Sequence, residues 1–232
     1  MRHKGVEAVI VASANALLMP IKNCLTIIRR PVIYIFMPRP ANPETRSRLL
    51  EKGGDLISTL GFNATGVQEI TSVAGVPKGS FYNYFESKEA FAVEVLTEYW
   101  DSVVATYGPI LADHNMAPLA RVARYFAGLV EFHERRRYAV GCLIGNMALE
   151  VTPSSESVRI KLAAIYRQWT ASLTECLREA QAQGELPAGK EPGQVAVALI
   201  DAFEGAVTRA KVERNRSPFD SFEGFVLPAL VT

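Results

Sequence analysis

Apolar residues recur every three or four positions along most of this 232-residue chain, and glycine or proline ends most of the runs. In the longest run, from Val158 to Ala180, the steps between apolar residues are 4, 3, 4, 4, 3 and 4, which is the spacing of one face of an amphipathic helix. Shorter runs with similar spacing precede and follow it. The pattern predicts an all-α protein, with helices near residues 44–60, 67–74, 78–85, 87–107, 118–134, 141–150, 154–183, 192–215 and 219–230.

Residues 1–43 differ from the rest of the chain and are predicted to be an atypical N-terminal extension. A basic start precedes apolar runs near residues 6–19 and 27–37, and neither run reaches the roughly 20 residues of a membrane-spanning helix. We expect that translation begins at Met37, after which a proline-rich arm leads into the first helix. The alternative is a membrane anchor or a signal segment.

Residues 44–104 are predicted to form a module of three short helices followed by a longer connecting helix. The first helix ends at Gly61, and Thr65 is placed to cap the second. Gly75 then permits a tight turn into the third. Two helices joined by such a turn, here over about residues 65–85, are typical of the helix-turn-helix, whose second helix enters the major groove of DNA.

The third helix combines an apolar face with a polar one. Phe81 and Phe85, four residues apart, are predicted to face the core, as is Val73 of the preceding helix. The other side chains offer donors and acceptors to phosphates and base edges. On spacing alone, the alternative is an aromatic core helix with no role in DNA binding. The predicted DNA contacts are Arg46, Thr65, Lys78, Gly79, Ser80, Tyr82, Asn83, Tyr84 and Lys88.

Composition and charge narrow the possible functions. Hydrophobic residues make up 49% of the chain and charged residues 21%, as in ordinary globular proteins. Residues 1–43 contain six basic residues and one acidic residue, which leaves 19 basic against 23 acidic residues in the remainder. Binding to DNA must therefore depend on where the charges are placed rather than on the total.

Two further observations argue against an enzyme and against a metal site. The three cysteines are widely spaced, which disfavours disulfides or structural zinc and fits a reducing, cytoplasmic location. The sequence also shows no catalytic triad, phosphate-binding loop, dinucleotide fingerprint or metal-ligand cluster. We therefore expect no enzymatic activity, no cofactor and no bound metal.

One segment of the chain carries a family pattern in Thr65, Glu69-Ile70, Ala74-Gly75-Val76, Lys78-Gly79-Ser80-Phe81-Tyr82, Tyr84-Phe85 and Lys88-Glu89. This segment resembles the TetR family of bacterial transcriptional repressors. Gly66-Val67 and Pro77 depart from the commoner pattern of the family. The resemblance implies an N-terminal three-helix helix-turn-helix domain plus a C-terminal helical domain for ligand sensing and dimerisation. It also implies two partners, a pseudo-palindromic operator in double-stranded DNA and a second copy of the chain.

Residues 105–232 are predicted to form the regulatory and dimerisation domain. Gly108-Pro109 should break or kink the connecting helix. The resemblance implies that the last two long helices build the dimer interface. An effector pocket is one interpretation of four large side chains at helical spacing, and plain core packing is the other. These residues are Phe126, Tyr138, Met147 and Trp169.

Gly141-Cys142-Leu143 resembles a segment of TetR repressors that sense electrophiles or small unsaturated carbonyl compounds. Cys142 is then a sensor thiol, activated by Arg135–Arg137 or by a helix N-terminus because positive potential lowers the pKa of a thiol. The other interpretation is an inert cysteine that packs as a small hydrophobe. We expect a repressor released by a small molecule or an electrophile and without a membrane partner. A membrane-associated regulator is the alternative function, and a helical enzyme is the least favoured one.

Overall fold

The computed structural model describes residues 42–232, and the predictions for residues 1–41, including a start at Met37, lie outside this range. All regular secondary structure in the described range is helical, which confirms the all-α prediction. The elements are α1 (Pro43–Leu60), α2 (Val67–Val73), a 3₁₀ helix (Lys78–Asn83), α3 (Lys88–Leu111), α4 (Pro118–Arg135), α5 (Leu143–Glu150), α6 (Glu156–Ala182), α7 (Pro192–Glu213), α8 (Ser217–Ser221), a π-helical turn (Phe222–Val226) and α9 (Leu227–Val231).

Local chemistry explains both ends of α1. The Asn42 side chain accepts a hydrogen bond from the Glu44 amide at 3.0 Å, and Pro43 occupies the first turn, where its missing N–H has no helical partner to lose. At the other end Gly61 has a φ of 92°, which glycine adopts without strain, and its amide donates to the Ile57 carbonyl. The predicted end of the helix at Gly61 is confirmed.

Three phenylalanines hold the 3₁₀ helix against the start of α3. Phe81, Phe85 and Phe91 are almost completely buried, and their ring centroids lie between 4.9 and 5.4 Å apart. A single short 3₁₀ helix has little stability by itself, so this cluster fixes its position. Phe81 and Phe85 face the core as predicted.

Gly53 allows α1 to lie close to this cluster. A Cβ atom at Gly53 would be 2.6 Å from Phe91 Cζ and 2.8 Å from Ile70 Cγ2, both too short for real contacts. The glycine weakens α1 as an isolated helix but lets α1, α2 and α3 meet without a gap.

The connecting helix α3 is continuous from its cap at Ser87 to Leu111. The Ser87 hydroxyl accepts a hydrogen bond from the Ala90 amide at 3.0 Å, as serine at an N-cap commonly does. The predicted break at Gly108-Pro109 is wrong. Pro109 lies in the final turn of the helix, where one lost hydrogen bond disturbs few following residues. The predicted domain boundary between residues 104 and 105 falls inside α3, so both domains share this helix.

In the C-terminal domain, α6 packs against α3, α4 and α7. Its apolar stripe from Val158 to Ala180 is buried, as the periodicity predicted. A second aromatic cluster joins α4, α7 and the C-terminal segment, because the Phe126 ring lies 5.2 Å from Phe203 and 5.0 Å from Phe222 between centroids. The C-terminal segment is therefore part of the core.

One buried charge connects three helices of this domain. Arg121 in α4 is 1% exposed, and its Nη1 donates to the Leu111 carbonyl at 2.7 Å. Its Nη2 forms an ion pair with Glu179 of α6. The guanidinium thus ties α4 to the end of α3 and to α6. Within residues 42–232 no helix combines the length and the apolar character needed to cross a membrane.

Candidate DNA-binding surface and effector cavity

The 3₁₀ helix presents most of its polar residues to solvent. Lys78, Gly79, Tyr82 and Asn83 are exposed, and Ser80 is half-buried. A Cβ atom at Gly79 would meet nothing within 4 Å, so the backbone itself is open to a ligand at this point. Ammonium, hydroxyl and amide groups on one exposed helix suit contacts with phosphates and base edges.

The turn before this helix and the residue after it fix its two ends. Gly75 has a φ of 65°, the left-handed conformation that a tight turn out of α2 requires. After the helix, the half-buried Tyr84 accepts a hydrogen bond at its hydroxyl from the Asn42 amide at 3.2 Å. The phenol of Tyr84 therefore orders the start of α1 beside the exposed face.

Two predictions around α2 are wrong. Gly66 rather than Thr65 is the N-cap of α2, and Thr65 is completely buried, with its hydroxyl donating to the Gly61 carbonyl at 2.7 Å. The phosphate contact predicted for Thr65 concerns its backbone amide rather than this enclosed hydroxyl, and it stays a prediction. Val73, expected in the core, is 48% exposed, and Thr71 is buried in this helix instead.

Two predicted phosphate contacts are engaged within the protein. Arg46 forms an ion pair with Glu94, and its guanidinium carbon lies 5.4 Å from the centroid of the Phe85 ring. Lys88 Nζ donates to the Phe62 carbonyl at 2.5 Å and lies 3.9 Å from the centroid of the Phe62 ring, and its burial lowers the Lys88 pKa. Both cations therefore have partners within the module of the free protein, and their roles as DNA contacts stay predictions. Lys78 remains an exposed cation on the 3₁₀ helix.

A cavity of about 460 Å³ lies between α1 and the helices of the C-terminal domain. Its walls come from α1, α3, α4, α6, α7 and the segment before α5. The volume is within the range of small-molecule sites. The side chains that matter most for its chemistry are Tyr99, Trp100, His133, Cys142, Trp169 and Glu204.

This cavity only partly matches the predicted pocket. Cys142 and Trp169 line it, but Phe126, Tyr138 and Met147 do not. Phe126 and Met147 are buried in the core, and the Tyr138 ring lies 6.2 Å from that of Phe219 between centroids. Helical spacing identifies an inward face but cannot distinguish a filled core from a cavity wall.

Three ionisable side chains meet in the cavity. The Tyr99 hydroxyl donates a hydrogen bond to Cys142 Sγ at 3.8 Å, and Glu204 of α7 lies near enough to affect the thiol. Glu204 Oε1 is buried and has no hydrogen-bond partner within residues 42–232. Burial raises the pKa of Glu204 to about 7.

Of the two predicted sources of positive potential at Cys142, the helix N-terminus is present, because Cys142 is the N-cap of α5 and the Gly145 amide lowers its pKa. Burial and the neighbouring Glu204 nevertheless raise the pKa of this thiol. Arg135–Arg137 are exposed, as expected of a solvated helix end, and do not offset that effect. Cys176 is also buried, and its thiol donates to the Pro118 carbonyl at 3.3 Å.

The sequence interpretation missed Glu204 as a site residue. Two features mark Glu204 as a site residue. In the sequence it lies beside the apolar stripe of α7, and in the structure its side chain faces a glycine of α5. A Cβ atom at Gly145 would occupy the place of Glu204 Oε2. In the described part of the chain, no group of three or more His, Cys, Asp or Glu side chains is arranged to hold a metal ion.

The helix-turn-helix contains an exposed polar 3₁₀ helix, and it is joined to a helical domain with a cavity. This arrangement is typical of DNA-binding regulators with a sensor domain. The family model described as bacterial regulatory proteins, tetR family, matches residues 49–95, and the tetracyclin repressor-like C-terminal domain matches residues 118–225. The chain belongs to the TetR family of transcriptional regulators.

Relatives named as repressors cover most of the chain. It is 40% identical over 191 residues to the HTH-type transcriptional repressor DhaR of Mycobacterium sp. (strain GP1), spanning 82% of this chain and 94% of that protein. Identity to the HTH-type transcriptional repressor NemR of Escherichia coli (strain K12) is 30% over 185 residues, or 80% and 93% of the two chains.

Solved structures show the same architecture. The regulatory protein TetR from Rhodobacter sphaeroides matches with a TM-score of 0.76 at 31% identity, over 81% of this chain and 99% of that chain. The reduced form of E. coli NemR matches with a TM-score of 0.71 at 28% identity, over 82% and 97% of the two chains.

Proposed function

We propose that the chain is a homodimeric transcriptional repressor that binds a two-fold symmetric operator and is released by a small, uncharged effector. The exposed face of the 3₁₀ helix reads the DNA, and the effector enters the cavity at Cys142. One observation carries the proposal: α1, whose close packing positions the 3₁₀ helix, also forms a wall of the cavity. Effector site and DNA-binding surface thus share a structural element.

The DNA contacts are proposed for the exposed residues of the 3₁₀ helix. Lys78 supplies charge, Tyr82 and Asn83 supply hydrogen-bonding groups, and Gly79 opens the backbone. Ser80 and Tyr84 contribute at the edges of this surface. A dimer would place one such helix in each of two major grooves one turn apart.

Release requires an effector that binds one arrangement of the module better than the other. Leu50 and Gly54 of α1 line the cavity, and the adjacent Gly53 contacts Phe91 of the aromatic cluster. A ligand that pushes α1 away from the cavity therefore disturbs the packing that supports the 3₁₀ helix. Such a ligand lowers the affinity for DNA because it shifts the population of binding-competent dimers.

The effector class follows from the charge state of the cavity. Desolvation lowers the pKa of His133 to about 4 and raises that of Tyr99 well above its usual value, so both are neutral near pH 7. A small neutral molecule is favoured beside Cys142, because the charged residues of the lining (Glu51, Asp55, Glu98, Arg135 and Arg136) are all exposed, and His133 and Tyr99 are neutral. The thiol in the cavity wall favours an electrophile, and the relative NemR is described in a reduced form.

The proposed dimer covers an apolar surface at α7 and the C-terminal segment. Val197 and Val212 of α7 are 44% and 78% exposed, and Phe225 is 75% exposed. These large apolar side chains are exposed in the single chain, and a dimer interface along α7 and the C-terminal segment would cover them. Size-exclusion chromatography with light scattering at micromolar concentration should give the mass of a dimer. A monomer would overturn this part of the proposal.

DNA binding is tested with the intergenic DNA upstream of the gene. We expect the wild-type protein to bind it with a strong salt dependence, and Lys78→Ala to weaken binding and reduce the salt slope by about one. Arg178→Ala is the matched control, because Arg178 is an exposed cation on α6 paired with Glu175. Equal losses in both variants would contradict the assignment of the 3₁₀ helix.

Release is tested by adding neutral electrophiles to the protein–DNA complex. We expect dissociation of the wild-type complex, and retention of DNA by a Cys142→Ser variant that binds with normal affinity. If Cys142→Ser dissociates equally well, the signal does not depend on the thiol. Cys176→Ser serves as the control, since this thiol is hydrogen-bonded in the core away from the cavity.

A further inference from the structure

The carboxyl group of Glu204 is an unexpected feature of the buried side of the cavity. The other charged residues of the lining, Glu51, Asp55, Glu98, Arg135 and Arg136, are all exposed. Glu204 Oε1 is buried without a hydrogen-bond partner in the described range, and burying an unpaired polar group costs free energy. The helix could avoid this cost with an apolar residue, since Phe203 and Ala206 next to it are buried in the core. A group placed this way, beside a thiol, calls for a chemical explanation.

Among the buried ionisable groups around Cys142, Glu204 is the one that can take up and release a proton near neutral pH. Tyr99 of α3, Tyr166 of α6 and Cys142 all have pKa values raised by burial, so they keep their protons near neutrality. His133 of α4 also lines the cavity and is neutral, because its pKa is about 4. Asp201, an exposed carboxylate three residues earlier in α7, raises the pKa of Glu204. Glu51, Asp55, Glu98, Arg135 and Arg136 also line the cavity, but all five are exposed and none is a cause of this pKa shift.

We propose that Glu204 is the proton acceptor that makes Cys142 reactive towards small, uncharged alkenes conjugated to a carbonyl group. The inference deepens the proposed function and rests on it for the entry of an electrophile into the cavity. As the sulfur–carbon bond forms at the terminal alkene carbon, the S–H bond breaks and the thiol proton passes to Glu204. The proton then reaches the carbon next to the carbonyl, from Glu204 or through water. The product is a neutral thioether, and no oxidant or reductant is consumed.

Neighbouring donors support the same reaction. The Tyr99 hydroxyl and the Gly145 amide both donate to the sulfur and lower the pKa of Cys142, so they stabilise the negative charge that develops on it. Without an acceptor for the proton, the buried thiol would be inert, because the thiolate is the nucleophile and burial disfavours it. Glu204 supplies the missing acceptor inside the cavity.

The wild-type protein tests the proposal without any substitution. Its reaction with acrylamide is followed between pH 5.5 and 9 by peptide-resolved mass spectrometry, which separates Cys142 from Cys24 and Cys176. We expect the rate at Cys142 to rise through about pH 7, where Glu204 loses its proton, and then to level off. A rate that rises steadily up to pH 9 with no break near 7 would overturn the proposal.

The Glu204→Gln variant tests the residue directly. We expect the rate at Cys142 to fall by at least about tenfold at pH 8 and the break near pH 7 to disappear. The matched control is Glu175→Gln, because Glu175 is an exposed glutamate of α6 that does not line the cavity. The rate at Cys142 in this variant should stay within about twofold of wild type. If Glu204 only repels the thiolate, Glu204→Gln will react faster, which contradicts a proton acceptor.

Separate readouts distinguish this inference from the proposed function. Modification of Cys142 is measured on free protein, and release is measured on the DNA complex. Rapid modification that is unaffected by Glu204→Gln overturns the role of Glu204 and leaves the repressor proposal intact. Modification that depends on Glu204 but does not release DNA supports the chemistry and contradicts the proposed signal. Absence of any reaction at Cys142 in the folded wild-type protein overturns the inference.

Discussion

Phe91 occupies the space that a side chain at Gly53 would fill. A Cβ atom there would lie 2.6 Å from Phe91 Cζ, so alanine forces α1 and α3 apart. Alanine favours a helix over glycine by about 1 kcal/mol, and overpacking a core costs about 1–3 kcal/mol. We predict that Gly53→Ala lowers the free energy of unfolding in urea and also weakens binding to DNA.

The neighbouring Gly54→Ala is the control for this prediction. Its Cβ atom would approach Val95 Cγ1 at 3.2 Å, a contact that a small shift can relieve. Gly54→Ala should therefore cost clearly less stability than Gly53→Ala. If both variants gain stability through helix propensity, the close contact between α1 and α3 does not exist as described.

The buried Arg121 should be more important for stability than any surface ion pair. Arg121→Ala leaves the Leu111 carbonyl and Glu179 without their donor, and we predict a loss of at least about 2 kcal/mol in the free energy of unfolding. Arg178→Ala removes an exposed ion pair with Glu175 and should change it by less than about 1 kcal/mol. Urea unfolding followed by fluorescence of Trp100 and Trp169 measures both.

Substitutions at Lys78 and Lys88 should change different properties: DNA binding at Lys78 and stability at Lys88. Lys78 is exposed, so its loss should affect the affinity for DNA and its salt dependence with little change in stability. Lys88 donates to the Phe62 carbonyl, so Lys88→Met should lower the free energy of unfolding and leave the salt slope of binding unchanged. A salt slope reduced by about one in Lys88→Met would support the predicted phosphate contact of Lys88.

The raised pKa of Glu204 makes stability depend on pH. The folded protein binds this proton up to about pH 7, whereas an unfolded glutamate releases it near its ordinary value of 4.5. The folded state therefore holds more protons between these pH values, and the contribution of Glu204 to stability falls as the pH rises. We predict that the unfolding free energy of wild type relative to Glu204→Gln decreases by up to about 3 kcal/mol from pH 4.5 to 7.

His133 should produce the opposite slope. Its pKa is lowered to about 4 in the folded protein from 6.5, so the unfolded state binds more protons between these values and stability falls as the pH decreases. The two slopes overlap and partly cancel in the wild type. The prediction is that Glu204→Gln loses stability more steeply than wild type on acidification from pH 6.5 to 4.5, whereas His133→Gln loses it less steeply. Parallel curves for all three proteins would contradict both assignments.

The N-terminal fold was predictable because its signals are local. Gly61, Gly75 and Ser87 each fix a helix end through backbone conformation or a capping hydrogen bond, and the structure uses all three. Thr65 was assigned wrongly because a threonine before a helix fits both a cap and a buried hydroxyl bonded to the preceding turn. The predicted break at Pro109 was wrong for a related reason, because the effect of a proline depends on how many helical residues follow it.

The cavity was less predictable because it depends on contacts between distant helices. Phe126 and Trp169 share the same kind of apolar spacing, but only Trp169 reaches the cavity. Glu204 meets Cys142 across more than sixty positions of sequence, and no local pattern encodes that contact. The charges of Arg46 and Lys88 were visible in the sequence, but their internal partners, Glu94 and Phe62, were not.

The continuity of α3 has a mechanical consequence. Its 24 residues form a rod about 36 Å long with no hinge, which starts beside the 3₁₀ helix and passes the cavity along its length. A tilt of about 5° moves one end of such a rod by about 3 Å relative to the other. In the proposed dimer the α3 helices of both subunits move together. A small tilt of α3 at the cavity would therefore change the distance between the two DNA-binding surfaces by several ångströms. If the proposed effector acts at Cys142, a tilt of α3 would carry that signal to the DNA-binding surface.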